Sequence, residues 1–196
     1  TSGAYDVHPY ILMNWNDDYE SLSTLAHELG HTMHSFYSNA NQPFAKADYA
    51  TFVAEIASTI NETLLNNYMV KNAKNDDEKL FLLGSYLDLL RTTIFRQTSF
   101  AEFELEIHKR VEEGQPLTGD DLCNIYYDIV KKYYGHDAGH CVVDPYIQYE
   151  WSYIPHFMGY TYYVFQYSTS LIYATAFAEK IVNEGNPAVD NFYKIL

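Results

Sequence analysis

The chain has 196 residues, of which 47% are hydrophobic and 19% charged, a composition typical of one globular domain or one large lobe. The formal net charge is −14, with 12 basic residues against 26 acidic ones, which argues against nucleic acid as a partner. No apolar run reaches the roughly 18–20 residues that cross a bilayer, and no signal-peptide pattern opens the chain. We therefore expect no membrane partner.

The ends and the cysteines give two further expectations. The chain starts at Thr1 without a Met and stops at Leu196 directly after a helical pattern, so we expect a piece of a longer protein. Cys123 and Cys141 show no ligand spacing and nothing in the sequence requires them to pair. Such thiols are typical of a reducing compartment, which predicts a cytoplasmic location.

The first 70 residues contain three patterned segments. The short apolar and aromatic run at residues 10–15 predicts a strand, the only one in the chain. Ser21 or Ser23 can cap a helix that runs to about Tyr37. Apolar residues recur at helical spacing over residues 50–70, which predicts a second helix.

The rest of the chain is predicted to be helical with loops. A long third helix covers residues 76–114, with a bend near Gly84 or a break near Ser99. Residues 117–121 match a capping box that opens a fourth helix, and Gly135 ends it.

A loop follows at residues 135–144, and a last helix is predicted from Pro155 to Glu184. The predicted fold class is therefore mainly α, with one short strand or hairpin element beside the first helix.

The motif that carries chemistry is His-Glu-Leu-Gly-His at residues 27–31. On a helix, His27 and His31 lie one turn apart with their roots about 6 Å from each other, so that both imidazoles can bind one zinc ion. Glu28 is placed to reach a metal-bound water. An apolar face is expected to anchor this helix, with the histidines pointing away from it. Its members are Leu22, Leu25, Leu29, Met33 and Phe36.

A catalytic zinc requires a third protein ligand and an open position. His34 is one candidate, but three ligands on one helix would spread along about 10 Å of its axis. Glu55, on the polar face of the second helix, is the better candidate if the two helices pack antiparallel. His34 and Glu62 are then predicted to orient the ligand imidazoles.

Five segments resemble the thimet oligopeptidase and neurolysin family of zinc peptidases. The strongest are His-Glu-Leu-Gly-His-Thr-Met-His at residues 27–34 and Phe-Val-Ala-Glu-Ile-Ala-Ser-Thr-Ile-Asn-Glu at residues 52–62. Residues 2–5, 9–15 and 151–157 extend the resemblance to essentially the whole chain.

This resemblance implies a zincin-like catalytic lobe of a neurolysin-like helical fold, with one Zn²⁺ ion and with Glu55 as its third ligand. It implies that residues 1–196 are the catalytic metallopeptidase domain, and that the family's N-terminal lobe and extreme C-terminus lie outside them. The expected activity is hydrolysis of internal bonds in short peptides, with Glu28 as general base toward a zinc-activated water.

The resemblance also implies that a histidine and tyrosines from residues 153–167 contact the substrate and the transition state. We assign His156 and Tyr163 catalytic roles. The choice among the tyrosines stays open, because Phe165 stands where relatives carry a tyrosine, and each tyrosine can equally serve packing. The expected substrate contacts are Tyr153, Tyr160, Tyr162 and, from the predicted strand, Asn14.

Three alternatives remain open. A zinc carboxypeptidase or aminopeptidase on a similar helical scaffold would carry the same motif. A non-catalytic helical module with a structural metal is also possible, although such sites are normally closed by four ligands, often cysteines. His136 and His140 are also four residues apart, but they lie in a predicted loop, where helical spacing does not apply.

Overall fold

A computed structural model describes residues 3–196, except for the side chain of Thr51, and it is mainly helical as predicted. The chain divides into two compact units, the first formed by residues up to Asp88 with Thr169–Leu196, the second by Leu89–Ser168. The α-helices are α1 Tyr19–Asn41, α2 Thr51–Lys71, α3 Asp76–Leu90, α4 Gln97–Glu112, α5 Gly119–Tyr134, α6 His156–Gly159, α7 Phe165–Glu184 and α8 Asn186–Tyr193. A π-helical segment, Arg91–Arg96, lies between α3 and α4, and a 3₁₀ helix covers Pro145–Tyr153.

The predicted strand at residues 10–15 is wrong. Only Tyr10 forms an isolated bridge, and the following residues carry no regular secondary structure. An apolar run becomes a strand only when another strand pairs with it, and the structure assigns no such strand within residues 3–196. Leu12 is accordingly 96% exposed.

Helix α1 begins earlier than predicted. Asp18, instead of Ser21 or Ser23, is the N-cap, because its carboxylate accepts a hydrogen bond of 2.8 Å from the Ser21 backbone amide.

The face of α1 that we expected to anchor it is only partly buried. Leu29 is 44% exposed and Phe36 is 57% exposed, whereas Gly30 and His34 are buried. The packed face therefore includes the histidine side of the helix, which turns toward α2.

Gly30 explains this choice of face. A Cβ built on Gly30 would lie 2.5 Å from the Ala57 carbonyl oxygen and 2.5 Å from the Ser58 Cα, both backbone atoms of α2. No side chain larger than hydrogen fits there, so the two helices approach each other backbone to backbone at this point. The glycine inside the motif is therefore a packing residue.

Helix α2 is at the centre of the first unit. Ile56, Ala57 and Ile60 form its apolar core together with Ala174 of α7 and Phe192 of α8. Because α2 is buried against this core on one side and against α1 on another, its polar residues Glu55 and Ser58 are also buried.

The second unit has its own core, formed mainly by Phe100 and Phe103 of α4 and Tyr126 and Ile129 of α5. The capping box that opens α5 is confirmed, and Gly135 ends the helix in a left-handed conformation with φ 65°. The predicted long third helix is interrupted by the π-helical segment.

The predicted last helix is also wrong in its extent. Residues 160–164 separate α6 from α7, and Tyr162 within them has a left-handed φ of 55° that a helix does not allow. Among the residues described, no helix is both long and apolar enough to cross a membrane.

The packing at Gly30 predicts the effect of adding a single methyl group. Gly30→Ala should lower the free energy of unfolding by about 1–3 kcal/mol, because the methyl group overlaps backbone atoms of α2. Gly84→Ala in α3 is the matched control, since nothing lies within 4 Å of its Cβ position. The control should gain about 0.5–1 kcal/mol from helix propensity. Urea unfolding measures both, and equal stabilisation by the two substitutions would contradict the close approach.

Candidate metal centre

Three donor atoms from α1 and α2 meet at one place in the first unit. The Nε2 atoms of His27 and His31 lie 3.1 Å apart, and Glu55 Oε2 lies 3.4 Å from each of them. Within residues 3–196, they are the one group of His, Cys, Asp and Glu side chains whose arrangement could hold a metal ion.

The size of this triangle fits a zinc ion. Ligand atoms at about 2.0–2.1 Å from a tetrahedral zinc are separated by roughly 3.3–3.4 Å from one another. The measured sides of 3.1, 3.4 and 3.4 Å are close to that spacing. Two imidazoles and one carboxylate are also the donor set of several catalytic zinc sites, and they leave a fourth position open.

Neighbouring side chains of α2 hold the Glu55 carboxylate and the helix that carries it. Ser58 Oγ lies 3.0 Å from Glu55 Oε2 and donates a hydrogen bond to it. Asn61 Nδ2 donates to the Ala26 carbonyl of α1 at 3.1 Å, which fixes the register of the two helices. No pattern in the sequence signals the roles of Ser58 and Asn61, although Ser58 lies one turn after Glu55 on α2.

The two residues predicted to orient the ligands lie in different environments. Glu62 Oε2 is 3.3 Å from His27 Nδ1, the position from which a carboxylate fixes the tautomer of a metal-binding imidazole. His34 is buried, and its ring stacks on Tyr49 with centroids 3.6 Å apart. Burial, followed by the charge of His31, lowers the pKa of His34 to about 4.

The acidic residues control the charge of the centre. Burial alone would lower the pKa of His27, but the hydrogen bonds to Glu55 and Glu62 raise it to about 10. Burial alone would raise the pKa of Glu55, but its hydrogen bonds to His27 and His31 hold it far below the ordinary value. The metal-free centre therefore contains an ionised carboxylate beside a protonated imidazole at neutral pH.

Glu28, the predicted general base, is half-buried on α1 next to His27. Its backbone carbonyl accepts a 2.8 Å hydrogen bond from Thr32 Oγ1. Asn14 is exposed in the irregular segment that replaces the predicted strand. The roles of both stay predictions.

The second unit carries the remaining predicted residues. The His156 ring stacks on Tyr163 with centroids 5.7 Å apart and lies 5.9 Å from the Tyr160 ring. His156 Nε2 also lies 3.1 Å from the Tyr167 hydroxyl, a contact that our site assignment did not include. These four aromatic residues, His156, Tyr160, Tyr163 and Tyr167, form what we call the His156 cluster.

The other two predicted tyrosines each contact a carboxylate that we did not predict. The Tyr153 hydroxyl lies 3.3 Å from Glu150 Oε1, and the Tyr162 backbone amide lies 2.6 Å from Glu104 Oε1. Both glutamates are more than 90% buried within the second unit. No motif signals them, because each is a single residue in an ordinary helical pattern.

The rival pair of histidines does not form a metal group. His136 Nδ1 accepts a 3.0 Å hydrogen bond from the Val143 backbone amide, and the His140 ring packs against Gly135. Both rings therefore pack within the loop at residues 135–144 and support its conformation.

The helical fold and the His–His–Glu centre together are typical of a helical metallopeptidase. Known proteins can be compared with the chain on that basis. The model of peptidase family M3 matches residues 2–196. The chain belongs to this family, which confirms the resemblance seen in the sequence.

Named relatives agree with this assignment. Oligopeptidase PepF of Bacillus subtilis is 48% identical over 196 residues, covering 100% of this chain and 29% of that protein. Group B oligopeptidase PepB of Streptococcus agalactiae is 48% identical over 189 residues, covering 95% of this chain and 30% of that protein. The chain thus spans about three tenths of the length of these relatives.

A solved structure gives the same result. The crystal structure of oligoendopeptidase-F from Enterococcus faecium superimposes with a TM-score of 0.69 at 41% identity. The alignment covers 88% of this chain and 30% of that one.

The charge of the metal-free centre predicts that metal binding releases a proton. His27 is protonated below a pKa of about 10, so a metal must displace that proton at pH 7.5, and affinity should rise as the pH rises toward 10. Calorimetry of zinc binding in buffers of different ionisation enthalpy measures the release. Glu62→Gln removes one of the groups that raise the His27 pKa, so the proton release should disappear at a lower pH than in the wild type. The same pH dependence of proton release in the two proteins, followed from pH 7.5 to pH 10, would contradict the role of Glu62.

Proposed function

We propose that this chain carries the catalytic centre of a zinc endopeptidase that hydrolyses internal bonds of short oligopeptides. The observation that carries the proposal is the triangle of His27, His31 and Glu55, with sides of 3.1–3.4 Å. Membership of peptidase family M3 and the names of the relatives support it.

In this proposal His27, His31 and Glu55 bind one zinc ion, and Glu62 fixes the orientation of His27. When bound, zinc polarises a water molecule and lowers its pKa toward about 7. The Glu28 carboxylate accepts the proton of the attacking water and passes it to the leaving amine. Glu28 suits this role because it follows His27 directly on α1 without being part of the ligand triangle.

The oxyanion that forms on the peptide carbonyl requires hydrogen-bond donors, and the loss of one such donor typically costs about 10²–10³ in rate. We assign this role to His156 and Tyr163, with Tyr153, Tyr160, Tyr162 and Asn14 as substrate contacts. The family resemblance supports this assignment, and so does the mutual packing of the His156 cluster, which keeps several polar ring atoms together in the second unit.

Two further proposals concern the setting of the enzyme. The relatives are about three times longer than this chain, so we propose that an N-terminal lobe of the same protein is its structural partner. Cys123 and Cys141 are free thiols, which supports a reducing, cytoplasmic location.

Substitution of the base tests the mechanism. Glu28→Gln in the full-length protein should lower kcat/KM by about 10²–10⁴ while the zinc content stays at one ion per chain, since the amide cannot accept the proton. Glu20→Gln, on the exposed first turn of the same helix, should leave both quantities unchanged. Near-full activity of Glu28→Gln would eliminate Glu28 as the base.

An exopeptidase is the second candidate function. The metal-binding motif does not define whether an enzyme cuts a peptide at an internal bond or at one of its ends. An internally quenched peptide with an acetylated N-terminus and an amidated C-terminus separates the two. We expect cleavage at an internal bond, detected by fluorescence and located by mass spectrometry. Cleavage only after one terminus is unblocked would establish the exopeptidase.

The third alternative, a non-catalytic module with a structural zinc ion, is disfavoured because the candidate group contains no cysteine.

A further inference from the structure

The segment that follows α6 contains a backbone conformation that its sequence does not favour. Tyr162 has φ 55°, in the left-handed region, where residues other than glycine, asparagine and aspartate are uncommon. A tyrosine stays in this conformation only when its surroundings hold it there, and such positions are concentrated at functional sites.

One group holds it. Glu104 on α4 is only 2% exposed, and its Oε1 lies 2.6 Å from the Tyr162 backbone amide, which donates to it. A hydrogen bond to a charged acceptor is stronger than a neutral one, and burial from water strengthens it further. His108, one turn further along α4, places its ring 5.0 Å from the Tyr162 ring.

A buried carboxylate is costly unless it is compensated, so its presence in an otherwise aromatic core calls for an explanation. Glu106, two residues further along α4, shows the more usual environment of a glutamate on a helix. It pairs with Arg110 at 2.7 Å on a solvent-accessible face. Glu104 instead points into the second unit and contacts main chain 58 residues away.

Tyr160, two residues before Tyr162, and Tyr163, directly after it, belong to the His156 cluster. The Tyr163 amide donates to the Tyr160 carbonyl at 3.1 Å, and the Tyr160 amide donates to the His156 carbonyl at 3.0 Å. The turn centred on Tyr162 therefore sets how Tyr160 and Tyr163 are presented to the His156 ring. A rotation of φ at Tyr162 back to negative values would redirect the Tyr163 side chain.

We propose that Glu104 is a positioning residue: through the Tyr162 amide it fixes the left-handed turn that places the Tyr160 and Tyr163 rings beside His156. The proposal rests on the proposed function, because it deepens the role given there to the His156 cluster. Glu104 touches no reacting atom, and it acts only by keeping the donors in place.

Three variants of the full-length protein test this role. Glu104→Ala removes the acceptor, Glu104→Gln keeps an acceptor of the same size without the charge, and Glu106→Ala is the matched control on the same helix. Steady-state kinetics on the doubly blocked peptide gives kcat and KM, metal analysis gives the zinc content, and hydrogen exchange with mass spectrometry gives the protection of residues 160–164.

For Glu104→Ala we expect kcat to fall by about 10–100-fold with KM changed less than about threefold, since misplaced groups lose transition-state contacts more than ground-state binding. The Tyr162 amide should exchange faster, and the zinc content should stay the same. Glu104→Gln should recover kcat to within about fivefold of the wild type, because a neutral acceptor still holds the turn. Glu106→Ala should match the wild type in every readout.

The proposal is overturned if Glu104→Ala keeps both wild-type kcat and wild-type exchange at residues 160–164, or if exchange rises with kcat unchanged. If Glu104→Ala fails to fold, Glu104→Gln decides alone, because its neutral acceptor holds the turn more weakly than the carboxylate does. Faster exchange with a kcat about two- to fivefold lower supports the proposal, and either wild-type exchange or faster exchange with full kcat overturns it. The two proposals fail in different ways. A wild-type protein that cleaves no peptide would refute the proposed function. Unchanged exchange at residues 160–164 in Glu104→Ala would refute the positioning role, whatever the activity of the variant.

Discussion

The close approach of α1 and α2 at Gly30 is the constraint on which the candidate centre depends. The two histidines are fixed relative to each other by one turn of α1, but the carboxylate comes from a different helix. Because a Cβ at Gly30 would meet α2 backbone at 2.5 Å, the absence of a side chain lets Glu55 reach within 3.4 Å of both imidazoles. A larger residue would separate the helices and open the triangle.

The same packing sets the electrostatics of the centre. Glu55 is buried by the approach of the helices, yet it remains ionised because His27 and His31 donate to it. Glu62 adds a second carboxylate on the far side of His27. Two carboxylates beside two imidazoles give this candidate centre a donor set that suits a divalent cation, which would have to displace the proton of His27.

Local signals in the sequence predicted α1, α2 and α5 closely, whereas the third and the last predicted helices are each divided in the structure. The spacing of residues 27–31, the capping box before α5 and the glycine after it are determined by neighbouring residues, so they were visible without a structure. The buried side of α1 was not visible in the sequence, because it depends on which face meets α2. The close packing at Gly30 determines that face, and it leaves Leu29 of the predicted apolar face largely exposed. The strand at residues 10–15 failed for a related reason: pairing requires a second strand that no local pattern reports.

Single buried residues were the hardest to foresee. Ser58 contacts Glu55 one turn earlier in α2, whereas Glu104 and Glu150 contact groups that are far away in the sequence. None of the three belongs to a repeating pattern. Tyr162 gives no sign of its left-handed conformation, because tyrosine carries no preference for it. The resemblance to a peptidase family supplied the positions of the candidate donors, and only the structure revealed what holds them.

We expect two imidazoles of α1 and one carboxylate of α2 to bind one divalent cation. Anomalous diffraction at the zinc edge, from crystals of the zinc-loaded protein, can locate that cation. We expect a single strong peak about 2.0–2.2 Å from His27 Nε2, His31 Nε2 and a Glu55 carboxylate oxygen, with a solvent molecule as fourth ligand. A zinc peak elsewhere, or one in this place closed by a fourth protein ligand, would contradict the claim.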